Sequence, residues 1–338
     1  MGAATEVEVP AQFAQALREL GLAGKDAIFG TPLTGGVSSD IWLIQTARGP
    51  VCAKRALAKL RVAADWRAPI ERNRYEARWM RVACAAHEGC APRVLGQHPA
   101  LGVLVMDYLP PADFALWKQR LRDGQADVST AQEVGRVLGA IHAYSARHPE
   151  LAAEFDTDTI FFDIRLEPYL LATARKHPDL AARLEQLVDV TRSQRRALVH
   201  GDVSPKNILI GANGPVFLDA ECAWWGDPAF DIAFCLNHLL LKCLWTPAAT
   251  PAFLASFDAM ADAYLSAVEW EPSGALEQRA AALLPGLFLA RVDGKSPVEY
   301  ITDEGQREQV RLVARELLAH PVGSLRSVRA RWAEELGQ

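Results

Sequence analysis

The sequence lacks the features that mark secreted and membrane proteins. Its six cysteines include no Cys-x-x-Cys pair, so we expect them to be reduced packing residues. The longest apolar stretches, such as residues 280–290, are too short to cross a bilayer, and this one contains Pro285. Residues 1–13 are acidic and hold no apolar core segment. We therefore expect neither a signal peptide nor a transit peptide, and we predict a cytoplasmic location.

An excess of basic residues is also missing. The 338 residues carry a net charge of −5, so nothing indicates a nucleic-acid partner. A cationic small molecule is compatible with this charge but is not required by it. Hydrophobic residues make up 50% of the chain, which is enough for a large core, and the length suggests two domains or lobes. The sequence does not set an oligomeric state.

Residues 200–232 carry the most informative pattern in the chain. Asp202 and Asn207 stand close together in a loop, and Asp219 and Glu221 follow after a short hydrophobic stretch. An enzyme that phosphorylates a hydroxyl group needs one carboxylate to orient that hydroxyl and take its proton, and further oxygen ligands to hold Mg²⁺. Any one of these residues alone is more easily explained as a solvated loop acid or a turn-capping Asn. Four of them at this spacing favour a catalytic site.

A predicted hairpin explains how these side chains converge. Residues 208–210 and 216–218 are apolar runs rich in β-branched side chains, and an Asn-Gly turn signal at 213–214 separates them. A hairpin brings its two outer ends together. Asn207 is thus expected to lie beside Asp219.

The same segment resembles the catalytic core of the aminoglycoside phosphotransferase and choline kinase superfamily, which has a protein-kinase-like fold. Its HGDxxxxN is similar to the HRDxxxxN catalytic loop, and Asp219 falls where the metal-binding aspartate of DFG falls. The resemblance implies Asp202 as the catalytic base, and Asn207 and Asp219 as Mg²⁺ ligands. The stretch DAECAWWGDPAFDI is most similar to methylthioribose kinases, which implies Glu221 as a further metal ligand. It also implies that Asp231 accepts backbone N–H bonds from the catalytic loop.

The resemblance predicts a nucleotide site upstream. Gly35, Gly36 and Ser38 lie in a small-residue turn whose backbone N–H groups are expected to cover the phosphates of ATP. Lys54 follows on a predicted strand, from which its ammonium is expected to reach the α- and β-phosphates. Taken singly, the turn is compatible with an ordinary turn and the lysine with a surface lysine.

Two more kinase features follow in the expected order. Glu76 neighbours the apolar stripe of a predicted helix and is expected to pair with Lys54, in preference to Glu71. A buried strand over residues 101–106 leads to Asp107 and Tyr108, a predicted hinge whose backbone would hydrogen-bond adenine. The joint order of these parts favours the kinase fold.

Two further helices are predicted downstream. Ser129 begins a capping box that is followed by apolar residues at helical spacing up to His142. Residues 232–244 are largely apolar and are predicted to form a buried helix, although they include His238 and Lys242. We expect both histidines to be packed in the core.

Substrate recognition is expected where the segment differs from the family pattern. Lys206 stands where phosphotransferases usually have a glycine, and it suits either an anionic or polyhydroxylated substrate or a solvated position. Trp224 and Trp225 are adjacent, so both cannot face the core on one side of a strand. One of them is expected either to line the acceptor pocket, by stacking on a sugar or by cation–π contact with an amine, or simply to be exposed.

A late turn supplies the last candidate. Gly294 is predicted to end one helix, and Ser296, Pro297 and Glu299 form the signature of the start of another. This local explanation does not account for Arg291. Methylthioribose kinases use arginines in a comparable late segment to contact substrate, so the resemblance implies Arg291 as a substrate ligand.

We therefore predict an α+β, two-lobed, protein-kinase-like fold. The N-lobe, residues 1–107, is expected to hold an antiparallel sheet and one helix, and the C-lobe, residues 108–338, to be mostly helical. The resemblance implies an ATP- and Mg²⁺-dependent kinase whose acceptor is a small hydroxylated metabolite, either a methylthioribose-like sugar or an amino alcohol such as choline, ethanolamine or aminopropanol. The alternatives are an aminoglycoside phosphotransferase and a catalytically inactive nucleotide-binding module. No A-P-E-like segment follows Asp219, which argues against a protein acceptor.

Overall fold

The computed structural model describes residues 6–33, 39–57, 59 and 69–338. Their contacts divide the chain into two compact units, Met1–Pro110 (unit 1) and Pro111–Gln338 (unit 2). The predicted boundary between the two lobes falls between residues 107 and 108, and the functional roles assigned to the lobes remain predictions.

Unit 1 is built on one antiparallel sheet. Its elements are β1 (Val7–Glu8), α1 (Ala11–Glu19), β2 (Phe29–Leu33), β3 (Ser39–Thr46), β4 (Gly49–Ala56), α2 (Arg72–Ala86), β5 (Val94–His98) and β6 (Val103–Asp107). The strand order is β1-β2-β3-β4-β6-β5. The tight β3–β4 hairpin closes at Gly49, whose φ of 109° is a left-handed value that suits glycine. Helix α1 packs Phe13 and Leu17 onto one face of the sheet to form the core of the unit.

Unit 2 is mostly helical. Its elements are β7 (Ala115–Leu116), α3 (Trp117–Arg122), α4 (Val128–Ala146), α5 (Asp158–Phe161), a π-helical segment (Phe162–Leu171), α6 (Ala172–Lys176), α7 (Ala181–Ser193), β8 (Ala197–Val199), β9 (Ile208–Gly211), β10 (Gly214–Phe217), β11 (Trp224–Gly226), α8 (Ala229–Trp245), α9 (Thr250–Ser266), α10 (Ser273–Asp293), α11 (Glu304–Ala319) and α12 (Leu325–Glu335). The described residues confirm the predicted α+β class, with its N-terminal antiparallel sheet. None of the helices in these described ranges has the length and apolar character needed to cross a membrane.

The helices at the centre of unit 2 follow the sequence pattern with small shifts. Helix α8 is buried at every position up to Leu244, as predicted for an apolar helix. Helix α4 begins earlier than expected, because Asp127 and not Ser129 caps it. The Asp127 side chain accepts the backbone N–H of Ser129 at 3.0 Å.

The late turn follows the prediction only in part. Helix α10 ends at Asp293, immediately before Gly294, but no helix begins at Ser296. Instead, the Val298 N–H donates to the Arg291 carbonyl at 2.8 Å, and the Arg291 guanidinium donates to the Ser296 carbonyl. These contacts fold the segment back onto α10. The next helix starts at Glu304.

Helices α4 and α9 approach each other closely at two glycines. A Cβ atom on Gly135 would lie 2.3 Å from the carbonyl oxygen of Met260, and one on Gly139 would lie 2.7 Å from the Cβ of Ala267. Real Cβ contacts with backbone are not this short. The glycines therefore allow the two helices to touch along their backbones.

Gly135→Ala should destabilise the protein. The new methyl group would push against backbone, so we expect the free energy of unfolding to fall by about 1–3 kcal/mol. Gly274→Ala is the matched control, since it lies in the first turn of α10 with nothing within 4 Å of the added carbon. This control should leave stability unchanged or raise it by up to about 1 kcal/mol. Urea unfolding of both variants is the measurement, and equal effects would contradict the close approach.

Candidate active site

One carboxylate, that of Asp231, holds the backbone of the predicted catalytic loop by hydrogen bonds. Asp231, at the start of α8, accepts the backbone N–H of His200 at 2.7 Å and that of Gly201 at 2.8 Å. His142 of α4 contacts the same carboxylate at 3.2 Å through Nε2. Gly201 has a φ of 81°, which a residue with a side chain would adopt only with strain. The predicted structural role of Asp231 is confirmed, and so is the packed position of His142.

The hairpin brings the predicted residues together. Strands β9 and β10 pair antiparallel in the register Ile208 with Phe217. The N–H of Leu218 donates to the Asn207 carbonyl at 2.8 Å, so the residue before Asp219 is bonded to Asn207 itself. The Asn207 side chain in turn donates through Nδ2 to the Asp202 carbonyl at 3.1 Å. The convergence expected from the Asn-Gly turn signal is therefore confirmed.

The carboxylate of Asp202 is buried and held on one side only. Its Oδ2 atom meets Arg165 Nη2 at 2.9 Å and Lys206 Nζ at 3.1 Å. Its Oδ1 atom is buried and has no hydrogen-bond partner within the described ranges. Burial alone would raise the pKa of Asp202, but the charges of Arg165 and Lys206 outweigh burial and hold that pKa below its ordinary value. Asp202 is thus an ionised carboxylate with one acceptor atom to spare.

Arg165 was not anticipated from the sequence. It is 7% exposed, and besides Asp202 it donates to the carbonyls of Gly201 and, at 2.6 Å, Ile164. It lies in the π-helical segment Phe162–Leu171, whose wider turns accommodate Pro168, a residue with no N–H to donate. No motif marks Arg165, because its direction depends on this irregular helix.

The predicted metal ligands provide oxygen donors next to this loop. Asp219 has a φ of 65°, a left-handed value that costs about 1–3 kcal/mol for a residue with a side chain and is typical of functional sites. Glu221 is 9% exposed. Burial raises the pKa of the Cys222 thiol, next to Glu221, well above its ordinary value. The Arg165 charge opposes this shift, while the charges of Glu221, Asp202 and Asp219 add to it. The carboxylates of Asp202, Asp219 and Glu221 therefore lie close enough together to affect the same thiol.

These donors fit Mg²⁺ by their chemistry. Among the described residues no group of three or more His, Cys, Asp or Glu side chains is arranged as a metal cage. Mg²⁺ does not need one, because it is usually held by one or two carboxylates together with water and phosphate oxygens. Asp219 and Glu221 supply carboxylates and Asn207 an amide oxygen, which is a suitable set.

In unit 1 the predicted ion pair forms. Lys54 on β4 meets Glu76 of α2 at 2.8 Å, and both are buried, with 4% and 1% of their surfaces exposed. The competing Glu71 is exposed at the start of the helix. The preference for Glu76 is therefore supported, and the nucleotide-binding role of the pair stays a prediction.

The other predicted nucleotide contacts are less defined. Gly35, Gly36 and Ser38 lie outside the described residues. Asp107 ends β6, and its backbone N–H already donates to the Arg93 carbonyl at 3.0 Å, so it is not free for a ligand. The adjacent Tyr108 is half-buried. Their role as an adenine-binding hinge stays a prediction.

The tryptophan pair is placed differently from the expectation that one ring would be exposed or face a pocket. Both Trp224 and Trp225 are buried, at 1% and 7% exposed. Trp224 stacks on Phe161 at a ring distance of 4.3 Å and donates from Nε1 to Asp158 at 2.6 Å. Strand β11 is covered on both faces, so adjacent side chains can both be buried.

Arg291 is also buried, at 7% exposed. Its Nη1 atom donates to the Tyr169 hydroxyl at 3.1 Å as well as to the Ser296 carbonyl. Its charged neighbours at the turn have separate partners. Asp293 pairs with Arg311 at 2.9 Å, and Lys295 pairs with an acid on the π-helical segment. The crowding of these charges therefore has a structural explanation. Arg291 is the one of the three that has no ion-pair partner among the described residues.

Asp231→Asn should destabilise unit 2 strongly. An amide would place an NH₂ group against donors that now meet a carboxylate, so we expect a loss of about 2–4 kcal/mol in the free energy of unfolding. Asp262→Asn is the control, since this acid is 66% exposed and pairs with Arg326 only at 3.4 Å. It should change stability by less than about 1 kcal/mol. Urea unfolding followed by circular dichroism would decide, and a small effect at Asp231 would show that the loop does not depend on it.

Comparisons with known proteins agree with this geometry. The model of the phosphotransferase enzyme family (APH) matches residues 30–276. Methylthioribose kinase from Cronobacter sakazakii is 25% identical over 231 residues, which cover 58% of this chain and 55% of that protein. Methylthioribose kinase from Yersinia pseudotuberculosis serotype O:3 is 26% identical over 280 residues, covering 72% and 65%. The chain thus spans between half and two thirds of the length of these relatives.

A solved structure supports the fold. Amicoumacin kinase hAmiN, in complex with AMP-PNP, Ca²⁺ and Ami, is 14% identical, with a TM-score of 0.55 and coverage of 94% of this chain and 96% of that one. At this identity the likeness concerns the fold alone, and that fold is a kinase-like one.

Proposed function

Because this chain belongs to the phosphotransferase enzyme family, we propose that it is an ATP- and Mg²⁺-dependent kinase that phosphorylates a hydroxyl group of a small metabolite. The observation that carries the proposal is the carboxylate of Asp202. It is buried, ionised and fixed through Oδ2, while Oδ1 has no hydrogen-bond partner among the described residues. An acceptor hydroxyl would donate the hydrogen bond that Oδ1 does not receive from the described residues.

Asp202 would orient the acceptor and receive its proton. The acceptor oxygen forms a bond to the γ-phosphorus as the bond from that phosphorus to ADP breaks, and the proton passes to Oδ1. Arg165 and Lys206 hold Oδ2, so that the carboxylate cannot turn away. Orientation of this kind is a large part of catalysis in phosphoryl transfer, where the protein does little covalent chemistry.

The remaining roles concern the nucleotide. Lys54, held by Glu76, would pair with the α- and β-phosphates. Asn207, Asp219 and Glu221 would hold Mg²⁺, which when bound neutralises charge on the phosphate oxygens. Further contacts are proposed for two groups predicted from the sequence: the turn residues Gly35, Gly36 and Ser38, and the hinge residues Asp107 and Tyr108.

The relatives bear on the acceptor. Their name supports a methylthioribose-like sugar as the first compound to test. Choline, ethanolamine and aminopropanol come next, as sequence-based candidates, and aminoglycosides follow. A cytoplasmic location also remains a sequence-based proposal.

Asp202→Asn should abolish most turnover. Loss of a general base lowers kcat by about 10²–10⁴-fold, while binding of ATP with Mg²⁺ should stay within about three-fold of wild type. The measurement is ADP release with a panel of sugars and amino alcohols, together with calorimetry of nucleotide binding. Asp163→Asn, an exposed acid on the segment that carries Arg165, is the control and should be fully active. Turnover retained in Asp202→Asn would refute the assigned base.

Arg165→Leu tests the positioning residue. Without the guanidinium the Asp202 carboxylate is free to rotate, so we expect kcat to fall by about 10²-fold with little change in KM for ATP. Arg165→Lys should recover part of the loss, because it restores the charge but not the contact with the Gly201 carbonyl. Arg175→Leu removes an arginine that is 58% exposed and serves as control. If Arg165→Leu and Arg175→Leu behave alike, Arg165 has no part in positioning.

A further inference from the structure

A group of basic side chains in unit 2 has few carboxylate partners. We call Lys118 of α3, His238 and Lys242 of α8, and Arg291 of α10 the basic cluster. His238, Lys242 and Arg291 are deeply buried, with 6%, 1% and 7% of their surfaces exposed. In soluble proteins such side chains are buried mainly when they are paired with carboxylates.

That pairing is missing here. Within the described ranges neither Lys242 nor Arg291 forms an ion pair with a carboxylate. Lys118 forms an ion pair with Glu299. The Nζ atom of Lys242 instead lies 3.6 Å from the ring centre of Tyr300 and 3.9 Å from that of Trp245. These rings offer a cation some stabilisation but no neutralising charge.

Two polar atoms of the cluster also have no partner in the described part of the chain. These are Nε of Arg291 and Nε2 of His238, both buried. His238 is packed in the core as expected, at 6% exposed, but its hydrogen bonding is incomplete. Its Nδ1 atom lies 3.5 Å from the Tyr300 hydroxyl, the outer limit of a hydrogen bond, and its Nε2 atom has no partner among the described residues.

The electrostatics show the cost of this arrangement. Burial, together with the charge of Lys118, lowers the pKa of Lys242 to about 6, and Glu299 only partly offsets the shift. Burial also lowers the pKa of His238, helped by the charges of Arg291, Lys242 and Lys206. With a pKa of about 6, Lys242 is mostly uncharged at neutral pH, so burying this basic group without a carboxylate partner costs stability, and local rules of this kind are broken mainly at functional sites.

The basic cluster is continuous with the proposed acceptor site. The ring of Tyr169 has the Arg165 guanidinium 5.9 Å from its centre and the Arg291 guanidinium 5.5 Å from it. Arg165 contacts Asp202 directly. One aromatic ring therefore links the carboxylate that would receive the acceptor's proton to the nearest cation of the cluster. A second ring, Phe234, lies 5.9 Å from the Arg165 guanidinium and packs edge-to-face against the His238 ring.

Resting on the proposed kinase function, we propose that the acceptor carries an oxyanion, a carboxylate or a phosphate, which binds the basic cluster while its hydroxyl meets Asp202. The anion would give Arg291 a partner of opposite charge and favour protonation of Lys242, and its oxygens would accept from the Arg291 Nε–H, which has no partner among the described residues. A cationic acceptor would be repelled by the same side chains. This ranks hydroxylated acids and phosphorylated polyols ahead of the methylthioribose-like sugars that the relatives suggest and of the amino alcohols and aminoglycosides that the sequence suggests.

The test uses four acceptors with the same three-carbon hydroxylated skeleton and different charge: glycerate, glycerol 3-phosphate, glycerol and 3-amino-1,2-propanediol. ADP release is measured with each, and calorimetry measures binding to the protein saturated with AMP-PNP and Mg²⁺. We expect at least one anionic compound to bind about ten-fold or more tightly than glycerol, and the amine to bind least. Preference for glycerate identifies a carboxylate, and preference for glycerol 3-phosphate identifies a phosphate. Equal or better binding of the neutral or cationic compound overturns the inference.

The two arms separate this inference from the proposed function. If neutral acceptors are phosphorylated without an anionic preference, the kinase stands and the basic cluster has no role in substrate choice. If the protein neither binds AMP-PNP nor releases ADP, the kinase proposal fails. Calorimetry of the anionic compounds with the protein alone, without nucleotide, would then still report on the cluster.

Lys242→Met gives a readout that a purely structural lysine would not give. Methionine keeps the length and burial of the side chain and removes the charge. We expect the anionic preference to fall about ten-fold and the Tm without ligand to rise by about 2 °C or more, because a buried amino group without a carboxylate partner is gone. Lys295→Met, which removes a half-exposed lysine paired with Glu167, should do neither. A lower Tm with unchanged preference would mean that Lys242 serves only the aromatic packing, and would overturn its assignment.

Discussion

The site depends on the carboxylate of Asp231. Backbone N–H groups of His200 and Gly201 have no strand partner at the point where the chain leaves β8, and a buried, unpaired N–H is costly. Asp231 takes both, and the first turn of the buried helix α8 fixes its own position. The loop can therefore hold Asp202 in one place. Without Asp231, the loop that carries Asp202 would have no fixed position relative to the β9–β10 hairpin.

Charge is handled in two opposite ways within unit 2. Around Asp202 each cation has a carboxylate partner, since Arg165 and Lys206 both contact one oxygen of Asp202. In the basic cluster this is not so, since Lys242 and Arg291 lie buried without a carboxylate partner in the described part of the chain. The first arrangement fixes the orientation of the Asp202 carboxylate. The second leaves buried basic side chains that a bound anion would stabilise. A kinase whose acceptor brings its own negative charge would make use of both.

Local patterns predicted much of this molecule correctly. The apolar runs and the Asn-Gly signal were enough for the β9–β10 hairpin, and helical spacing was enough to prefer Glu76 over Glu71 as the partner of Lys54. The errors have physical causes. The tryptophans were misjudged because the pattern does not say whether a short strand is covered on one face or both. The helix expected after Gly294 was displaced because backbone contacts to Arg291 fold that turn back onto α10.

The sequence by itself determined the order of the kinase features, the α+β class and the identity of the residues on the catalytic loop, because these depend on turn chemistry and short-range periodicity. Only the tertiary structure decided that Arg165 lies against Asp202, that His238 has a nitrogen with no described partner, and that four basic side chains from three helices form one cluster. These facts depend on how distant helices pack and on which faces they bury. Spacing along a chain carries no information about that.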